Sequence, residues 1–466
     1  MEIKNLEKVA DRIREAIKKN EKIILYGDAD LDGVSSVIIL KEAIKNLNGK
    51  ISAVYFPDRE NEGYGITQKG LDYLKNFSPA LFITMDLGIG NFEEVKIAKK
   101  LGFEVIIIDH HEILDKLPSA SIVVDPKQKG DKYPFKFLAA AGISFRLSQI
   151  LLGKKLTKNL RENFLELVAL ATIADMMPKL EENQIFIDEG LESLGRTFRP
   201  GLKAFFSITE LPKEAKVKKR MKFSSTTELP KEAKVKKRMK FSSTTELPKE
   251  AKVEKRTKFS LTEDFGNRLS LNPVRGQQPL IGAQRRQTSN GVKEISQKII
   301  SSLNAGEKID HLNEIYLLLT EKDERKAENL AKKLLEKGHQ RKIRIGEIVD
   351  EIEERIEKMP ALYNPGGTYM GEEKITFEGS AHWSLTLLGA VASRICQRYQ
   401  APTFLFKIGK VESQGTVRVP SGLDSVKLMG KCSKFLETYG GHPAASGFRI
   451  KNKNLEKFKQ CLIKFL

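Results

Sequence analysis

The chain has 466 residues, of which 40% are hydrophobic and 8% aromatic, so it has enough apolar material for folded domains and wholesale disorder is excluded. Lys and Arg number 80 against 61 Asp and Glu, and the resulting formal charge of +19 hints at a polyanionic partner. No apolar run approaches the roughly 18 residues of a membrane span, and the N-terminus is charged throughout, unlike a secretory signal. We therefore expect a cytoplasmic protein with no membrane association.

Residues 1–200 alternate short apolar runs with helical stretches, a pattern typical of an α/β domain with a parallel sheet. Three runs predict buried parallel strands because they are short and continuously apolar: KIILY at 22–26, LFITM at 81–85 and VIII at 105–108. Each run is followed by a polar or glycine-containing turn and then by a helical pattern.

Residues 209–262 consist of three 18-residue repeats. The first two copies are identical, and the third differs from them only at Glu254, Thr257 and Leu261. The three copies carry 17 Lys and Arg against 7 Asp and Glu, so more than half of the excess charge lies in one insertion. Each unit is shorter than a solenoid repeat and has too few apolar residues for a core. We interpret the insertion as a solvated expansion; the alternative is a basic arm that adds non-specific phosphate contacts.

The chain beyond the repeats predicts a helical connector and a second domain. Residues 312–359 are rich in Glu, Lys, Leu and Ala and predict a long helix, which NPGGTY at 364–369 ends. A smaller α/β unit follows, with a strand at 403–408 and a glycine-rich stretch at Gly440. We therefore divide the chain into a first domain, the insertion, a divergent loop with the helical connector, and a second domain, at 1–200, 201–262, 263–362 and 363–466.

The three cysteines are Cys396, Cys432 and Cys461. Their spacing contains no CxxC pair, so it indicates neither a disulfide framework nor a zinc knuckle. We expect a protein of a reducing compartment.

Polar clusters follow the apolar runs in the first domain. There are four of them: GDADLDG at 27–33, Asp86, the run Asp109, His110 and His111, and Asp175 after LVALATIA. In parallel sheets, ligand sites form beyond the carboxyl ends of the strands. Carboxylates gathered in one place are costly unless a cation neutralises them. Oxygen ligands with one or two imidazoles favour Mn²⁺ or Mg²⁺, so the pattern predicts a divalent metal site.

Other interpretations of these residues are weaker. DADLDG matches the opening of an EF-hand, but the twelfth residue counted from Asp28 is Ile39 where that loop needs Glu, and a strand-like run precedes it. The two histidines taken alone suit a structural role. Asp86 and Asp175 taken singly suit a turn or a helix cap. Their joint placement favours the metal site.

The motifs together resemble the DHH phosphoesterase superfamily, and more closely its RecJ-like branch. In the first domain the matching segments are GDADLDG (27–33), DRENEGYG (58–65), ITMDLGIG (83–90), VIIIDHHE (105–112), DPKQKGDKYPF (125–135) and ATIADMMP (171–178). In the second they are GSAHWSLTLLGAVASRI (379–395), QGTVRVPSG (414–422) and YGGHPAASGF (439–448). The resemblance implies an α/β fold class: a parallel-sheet DHH domain and a smaller α/β DHH-associated domain, joined by a long helix.

The resemblance also implies two divalent cations, Mn²⁺ or Mg²⁺, held by the motif carboxylates and the first histidine. Carried over residue by residue, one ion is bound by Asp30 and Asp86. The other is bound by Asp32, Asp86, His110 and Asp175, so that Asp86 bridges the two. Asp109 and His111 complete the catalytic set as supporting residues that orient ligands or contact phosphate.

Three features depart from the family pattern. The family usually places a histidine two residues before the first Asp of the opening motif, where this chain has Tyr26, so we expect weaker or water-mediated binding of the first ion. Residues 263–291 do not match the expected phosphate-contacting loop, and no OB-fold is visible after the second domain. Weaker or more partner-dependent DNA binding follows as an expectation.

Substrate contacts are also implied by the resemblance. Phosphate contacts fall on residues of the second domain, namely His382, Thr416, Arg418, Gly440, Gly441 and His442. From the first domain, Arg59 suits a phosphate and Tyr64 suits stacking on a base. The alternative for an arginine is an ordinary solvated side chain, and Trp383 is expected to be packed rather than stacked on a base.

The expected function is that of a metal-dependent exonuclease that hydrolyses single-stranded DNA. The resemblance implies a 5′-to-3′ polarity and a role in repair or recombination. DNA is favoured over RNA, the expected state is a monomer, and the candidate protein partners are a single-strand-binding protein or a helicase. One alternative is a phosphodiesterase or phosphatase of the same superfamily that acts on short oligonucleotides or nucleotides. The other is a replication-associated scaffold that has lost catalysis.

Overall fold

The computed structural model describes residues 2–114, 116–209, 296–357 and 375–466. They belong to one compact unit formed by Met1–Glu210 and Gln287–Leu466. The repeats beyond Thr209, the segment 263–291 and the predicted loop at 364–369 lie outside the described residues. Among the helices that are described, none combines the length and the apolar character needed to cross a membrane.

The first domain is built on a five-stranded parallel sheet with the order β2-β1-β3-β4-β5. Its strands are β1 (Ile23–Gly27), β2 (Ala53–Tyr55), β3 (Ala80–Met85), β4 (Phe103–Ile108) and β5 (Ile122–Val124). Successive residues of a strand point to opposite faces. Ile23 and Leu25 therefore pack into the core on one face, while Ile24 and Tyr26 pack into the core on the other. The three predicted strands are confirmed.

Helices pack on this sheet and on one another. They are α1 (Leu6–Lys18), α2 (Leu31–Asn46), α3 (Gln68–Leu74), α4 (Phe92–Lys100), α5 (Ala140–Leu152), α6 (Lys158–Ala174), α7 (Glu181–Leu194) and α8 (Pro200–Thr209). The apolar run LVALATIA is part of α6, so Asp175 follows a helix and not a strand-like segment, which corrects the sequence-based grouping. A continuous apolar run is compatible with either element, and here nine consecutive buried residues form a helix enclosed by its neighbours.

The connector contains more than the single predicted helix. Residues 296–303 are helical. A hairpin of β6 (Lys308–Ile309) and β7 (Leu312–Asn313) follows, and after it come α9 (Glu314–Thr320) and the 34-residue α10 (Glu324–Glu357). The prediction of one helix over 312–359 was therefore wrong at 312–313 and at 321–323. The chain turns there because the Glu321 carboxylate accepts hydrogen bonds from the backbone N–H groups of Lys322 and Asp323, and Asp323 caps α10 through the Lys326 N–H.

The second domain has a five-stranded sheet with the order β11-β12-β10-β9-β8, in which only β8 and β9 are parallel among the paired strands. Its strands are β8 (Thr376–Ser380), β9 (Thr403–Ile408), β10 (Glu412–Arg418), β11 (Leu436–His442) and β12 (Ala445–Lys451). Its helices are α11 (Leu385–Tyr399), α12 (Ser425–Lys431) and α13 (Leu455–Ile463). Trp383 is 2% exposed and packs against α10 and α11, which confirms that it is a packed residue.

Two of the three cysteines are joined. Cys432 at the end of α12 and Cys461 in α13 form a disulfide with their Cα atoms 6.0 Å apart, and Cys396 is a buried free thiol. The expectation of no disulfide was therefore wrong at this pair. The 29-residue separation carries no spacing signal, and only the packing of α12 and α13 on one face of the sheet brings the two sulfurs together.

Candidate metal and phosphate site

The parallel sheet itself aligns the acidic motifs. The backbone N–H of Asp28 donates to Met85 O at 3.1 Å, that of Asp86 to Ile108 O at 2.9 Å, and that of Asp109 to Val124 O at 3.0 Å. Each aspartate therefore continues the hydrogen bonding between its own strand and the neighbouring strand by one residue beyond the strand end. The three side chains consequently lie along one edge of the sheet, as predicted from the positions of the motifs at the strand ends.

His110 is the centre of the larger cluster. Its Nε2 atom lies 3.0 Å from Asp86 Oδ1, 3.5 Å from Asp175 Oδ2 and 3.6 Å from Asp32 Oδ2. The ring is 1% exposed. The structure thus brings together four residues from four different elements that were predicted to share one ion.

Asp32 is fixed by the start of α5. Its two carboxylate oxygens accept hydrogen bonds from the N–H groups of Ala140 and Ala141, both at 2.8 Å. Ala139, the N-cap residue of α5, has no side-chain oxygen to satisfy these donors, so Asp32 of α2 caps the helix instead. The cap fixes the orientation of the Asp32 carboxylate relative to His110.

The second cluster consists of Asp28, Asp30 and Asp86, whose ligand atoms lie within 4.8 Å of one another. Asp30 caps α2 by accepting from the N–H groups of Asp32 and Gly33. The Arg59 guanidinium forms ion pairs with both Asp28 and Asp30, with its Nε 3.0 Å from Asp28 Oδ1. This arginine therefore neutralises part of the charge of the second cluster.

Crowding of the carboxylates governs their protonation. Burial and the neighbouring Asp32, Asp30 and Asp28 carboxylates hold the pKa of Asp86 well above its usual range. Burial and Asp30 raise the pKa of Asp175 to about 7. The pKa of His110 is lowered, mainly by burial and secondarily by His111, so its imidazole is neutral and can act as a ligand.

The second histidine of the pair has a different role. His111 Nδ1 lies 2.7 Å from Asp109 Oδ1, and this carboxylate raises the pKa of His111 to about 9 although burial opposes the shift. The Asp109 carboxylate also accepts hydrogen bonds from the N–H groups of Ile89 and His110. His111 is consequently a protonated imidazole at the edge of the carboxylate cluster.

The second domain contributes His442 to this site. Its ring centroid lies 4.6 Å from that of His111 and 4.7 Å from that of His110, and its Nε2 is 3.9 Å from Asp175 Oδ2. The pKa of His442 is lowered by burial and by the two other histidines. Gly441, directly before it, has φ +132°, and a Cβ atom there would lie 2.7 Å from Ala445 O, so the tight approach of these strands requires glycine.

The remaining predicted substrate residues line one cleft between the two sheets, which encloses about 1820 Å³: Arg59, Tyr64, His382, Thr416, Arg418, Gly440 and Gly441. Arg418 donates to Thr416 Oγ1 at 2.8 Å and to Ser393 Oγ at 3.1 Å. Tyr64 is 47% exposed, with the Arg59 guanidinium 5.6 Å from its ring centroid. His382 is exposed on the cleft wall. Their contacts with a substrate stay predictions.

Tyr26 does not face the carboxylates. Its hydroxyl accepts a hydrogen bond from the Thr67 N–H at 3.1 Å and lies 3.2 Å from Gly65 O, within the core on the opposite face of the sheet from Leu25. The side chain at this position therefore supports the loop at 65–67.

Several residues of the site were not among the predicted ones. Asp28 of the second cluster and Glu60 of the cleft wall lie in motifs that carry the family resemblance, but neither residue was predicted to have a role. Lys127, in the motif at 125–135, donates to His110 O at 2.7 Å and lies 3.4 Å from His442 Nδ1. No sequence signal indicated this contact because its two ends are 315 residues apart.

Comparison with known proteins agrees with this architecture. The family model described as the N-terminal domain of the DHH family matches residues 22–172, and the DHHA1 domain matches residues 372–466. A relative named single-stranded-DNA-specific exonuclease RecJ, from Bacillus subtilis (strain 168), is 28% identical over 463 residues, which cover 99% of this chain and 48% of the relative. A protein of the same name from Salmonella typhimurium is 24% identical, covering 98% of this chain and 68% of the relative. The chain thus spans about half the length of the Bacillus relative.

Two solved structures share the fold. The crystal structure of exonuclease RecJ bound to manganese superposes with a TM-score of 0.63 at 21% identity, covering 100% of this chain and 95% of the other. The structure of RecJ in complex with Mn²⁺ from Thermus thermophilus gives a TM-score of 0.66 at 20% identity, covering 100% of this chain and 55% of the other. The predicted fold class, with a parallel-sheet domain, a smaller α/β domain and a long connecting helix, is confirmed.

Proposed function

Because the chain belongs to the DHH superfamily and to its RecJ-like branch, we propose that it is a metal-dependent exonuclease that hydrolyses the phosphodiester bonds of single-stranded DNA. The observation that carries the proposal is the convergence of Asp32, Asp86 and Asp175 on His110, beside a cleft that Asp32 and Asp175 line together with residues of the second domain. The 5′-to-3′ polarity and the roles in repair or recombination belong to the same proposal.

The cluster fits divalent cations on chemical grounds. Among the described residues, Asp86 Oδ1, Asp175 Oδ2 and both ring nitrogens of His110 are buried without a hydrogen bond. Buried polar atoms without partners are costly, and a hard cation that accepts oxygen and imidazole ligands satisfies the carboxylate oxygens and one ring nitrogen. We assign one ion to Asp32, Asp86, His110 and Asp175, and a second to Asp30 and Asp86, which agrees with the Mn²⁺ or Mg²⁺ named for the solved relatives.

The residues of the chain prepare the reaction by position and charge. Two bound cations would supply an activated water and would stabilise the leaving oxygen of the phosphodiester. His110 stays neutral and so keeps a lone pair for a ligand, while Asp86 lies within reach of both clusters. His111, held protonated by Asp109, places a positive charge beside the carboxylates, where a non-bridging phosphate oxygen would lie.

The cleft suits an unpaired strand. Arg418 is held by the hydroxyl groups of Ser393 and Thr416, so its charge remains available for a phosphate. On the opposite side, Tyr64 presents an exposed ring for a base. A phosphate contact on one wall and a stacking surface on the other require bases that are not paired.

The test uses end-labelled single-stranded DNA and RNA with Mn²⁺ or Mg²⁺, for the intact chain and for Asp86→Ala. We expect stepwise shortening of DNA in the intact chain and a loss of at least about 10³-fold in the variant, because both cation sets lose a shared ligand. Asp72→Ala, which removes an exposed aspartate paired with nearby Lys75, is the matched control. Labels at the 5′ and 3′ ends report the polarity.

Three results would contradict the proposal. Equal activity in Asp86→Ala would remove the metal assignment. Faster hydrolysis of a dinucleotide or of a 3′-phosphoadenosine substrate than of a longer strand would favour the small-substrate phosphodiesterase instead. Binding of DNA without any hydrolysis would favour a scaffold.

A further inference from the structure

Glu60, next to Arg59, connects the first domain to the second. Its carboxylate accepts a hydrogen bond from Ser384 Oγ at 2.8 Å and from the Thr386 N–H at 3.4 Å, and it forms an ion pair with Lys407 Nζ at 2.6 Å. All three partners belong to the second domain, 324 or more residues further along the chain. Glu60 is therefore an interdomain residue and not a free surface carboxylate.

The partners of Glu60 form the start of α11. Ser384 is the N-cap residue of this 15-residue helix, but its own side chain makes no capping hydrogen bond. The Glu60 carboxylate takes that place, where the helix dipole and the unpaired N–H groups favour a negative charge. Arg341 of the connecting helix α10 donates to Thr386 O at 2.7 Å, so first domain, connector and second domain meet at this point.

The turn that carries Glu60 is held by several hydrogen bonds. Asp58 accepts hydrogen bonds through its side chain from the N–H groups of Glu60 and Asn61, and through its carbonyl from Glu62. Glu62 is anchored in turn by Lys308 and Tyr55. Glu60 is therefore part of a hydrogen-bonded turn that extends to the anchored side chain of Glu62.

Arg59 belongs to the same turn. Its guanidinium contacts Asp28 and Asp30 and lies against the ring of Tyr64. The position of the second domain is thus mechanically linked, through Glu60, to the two first-domain residues proposed to hold the strand.

A separate contact joins the domains at the histidines. The Glu112 N–H donates to Gly441 O at 3.1 Å, and Lys127 contacts both Glu112 and His442. The cleft residues Tyr64 and Arg418 belong to the walls that these two contacts tie together. The two contacts together fix the distance between the walls.

We propose that Glu60 is a positioning residue that latches the two domains at the spacing of a single strand and thereby sets the selectivity against duplex ends. This inference rests on the proposed function, because selectivity has meaning only for a nuclease. The latch itself is a property of the fold, so it can be tested without any cleavage.

The first experiment measures amide hydrogen exchange by mass spectrometry on the intact chain and on Glu60→Ala. The Glu112 amide is the reporter because it donates across the domain boundary, away from the substituted residue. We expect exchange in peptides containing Glu112 to be faster by about tenfold, since the variant loses a hydrogen bond and a partly exposed ion pair. A local role of Glu60 as a helix cap would accelerate exchange only around Ser384–Thr386.

The second experiment compares cleavage of a single strand with that of a blunt duplex of the same sequence. Glu60→Ala is expected to reduce the preference for the single strand by about tenfold and to raise KM more than it lowers kcat. Glu60→Gln keeps an acceptor for Ser384 and should lie between the wild type and the alanine variant. Lys407→Ala should act in the same direction and less than additively with Glu60→Ala.

Glu93→Ala is the matched control, because Glu93 is an exposed glutamate of the same domain that pairs with Lys96. Unchanged Glu112 exchange in Glu60→Ala would overturn the latch, whether or not the chain proves to be a nuclease. Faster exchange with unchanged strand preference would overturn the selectivity role. Absence of cleavage in the wild type would count against the proposed function and not against the exchange result.

Discussion

The imidazole ring of His442 lies against that of His111, with the ring centroids 4.6 Å apart and the planes inclined by 16°. One histidine belongs to the second domain and the other to the first. His111 is held charged by Asp109, whereas burial lowers the pKa of His442 and keeps it neutral. The histidine cluster is therefore complete only when the domains are in contact, and a neutral imidazole from one domain stands beside a positive charge from the other.

Replacing His442 with Ala should lower kcat by about 10²-fold or more. The expected size is that of losing one preorganised hydrogen-bond donor to the reacting phosphate. Cation affinity should be unchanged, because His442 is absent from both proposed ligand sets. Steady-state kinetics and calorimetric titration with Mn²⁺ measure the two quantities, and His339→Ala, which removes an exposed histidine of α10, serves as the control. A fall in cation affinity would make His442 a ligand.

Asp86→Asn should stabilise the protein when divalent cations are removed with EDTA. The carboxylate is 2% exposed and is crowded by Asp32, Asp30 and Asp28, so its neutral isostere should increase the free energy of unfolding by about 1–2 kcal/mol. With Mn²⁺ at about a hundred times its Kd, the wild type should gain about 2.7 kcal/mol and the variant much less. Calorimetric Tm values test both expectations: the variant should have the higher Tm in EDTA, and the wild type should show the larger increase of Tm with Mn²⁺. Destabilisation in EDTA would show that Asp86 is not repelled by its neighbours.

The pair of Asp109 and His111 should make stability depend on pH. Because the folded pKa of His111, about 9, exceeds its ordinary value of 6.5, its contribution is complete below pH 6.5 and is lost as the pH rises through 9. The folded pKa of Asp109, about 2, lies below 3.8, so its contribution is present above pH 3.8 and is lost as the pH falls through 2.

The measurement is the free energy of unfolding in EDTA between pH 6 and pH 10, as a difference between the wild type and His111→Gln. We expect the difference to decrease across this window by an amount on the order of 2 kcal/mol. Asp125 and Asp175 also have raised pKa values in this window, and the charge of His111 lowers the pKa of both, so the difference reports the coupling of His111 to these carboxylates as well as to Asp109. The same difference for His339→Gln should not change with pH. If the pH curves of the wild type and His111→Gln run parallel, the ion pair between Asp109 and His111 is refuted.

The disulfide between Cys432 and Cys461 should be detectable by thiol counting. Denatured chain should show one reactive thiol, Cys396, before reduction and three afterwards. Because the bond closes a loop of about 30 residues, reduction or Cys461→Ser should lower the free energy of unfolding by about 3 kcal/mol. In the control variant Cys396→Ala, reduction should still lower the free energy of unfolding by the same amount. Three reactive thiols without reductant would show that the bond does not form under those conditions.

Much of the site could be predicted from the sequence because its residues stand at fixed offsets from apolar strands. KIILY, LFITM and VIII had to be buried strands of a parallel sheet, and the aspartates that follow them had to share its carboxyl edge. Asp175 was placed correctly in the cluster although its apolar run is a helix, since a buried run does not reveal its own backbone conformation.

The residues that could not be predicted are those that act between distant segments. Glu60 with Ser384, Lys127 with His442, and the two joined cysteines are each brought together by the packing of one element on another. Hydrophobic periodicity reports which face of an element is buried, but it contains no information about which remote element covers that face.

The sequence by itself therefore determined the sheet, its acidic edge and the carboxylate and imidazole character of the candidate cation ligands, because these follow from local periodicity and residue type. Its large positive charge was a poor guide, since more than half of it lies in the repeats, whereas the clustered carboxylates pointed to a divalent-cation site. Only the tertiary structure decided that Arg59 pairs with Asp28 and Asp30, and that the second domain closes on the first through His442 and Glu60. Those relationships depend on distances between surfaces of separate domains, which no local pattern encodes.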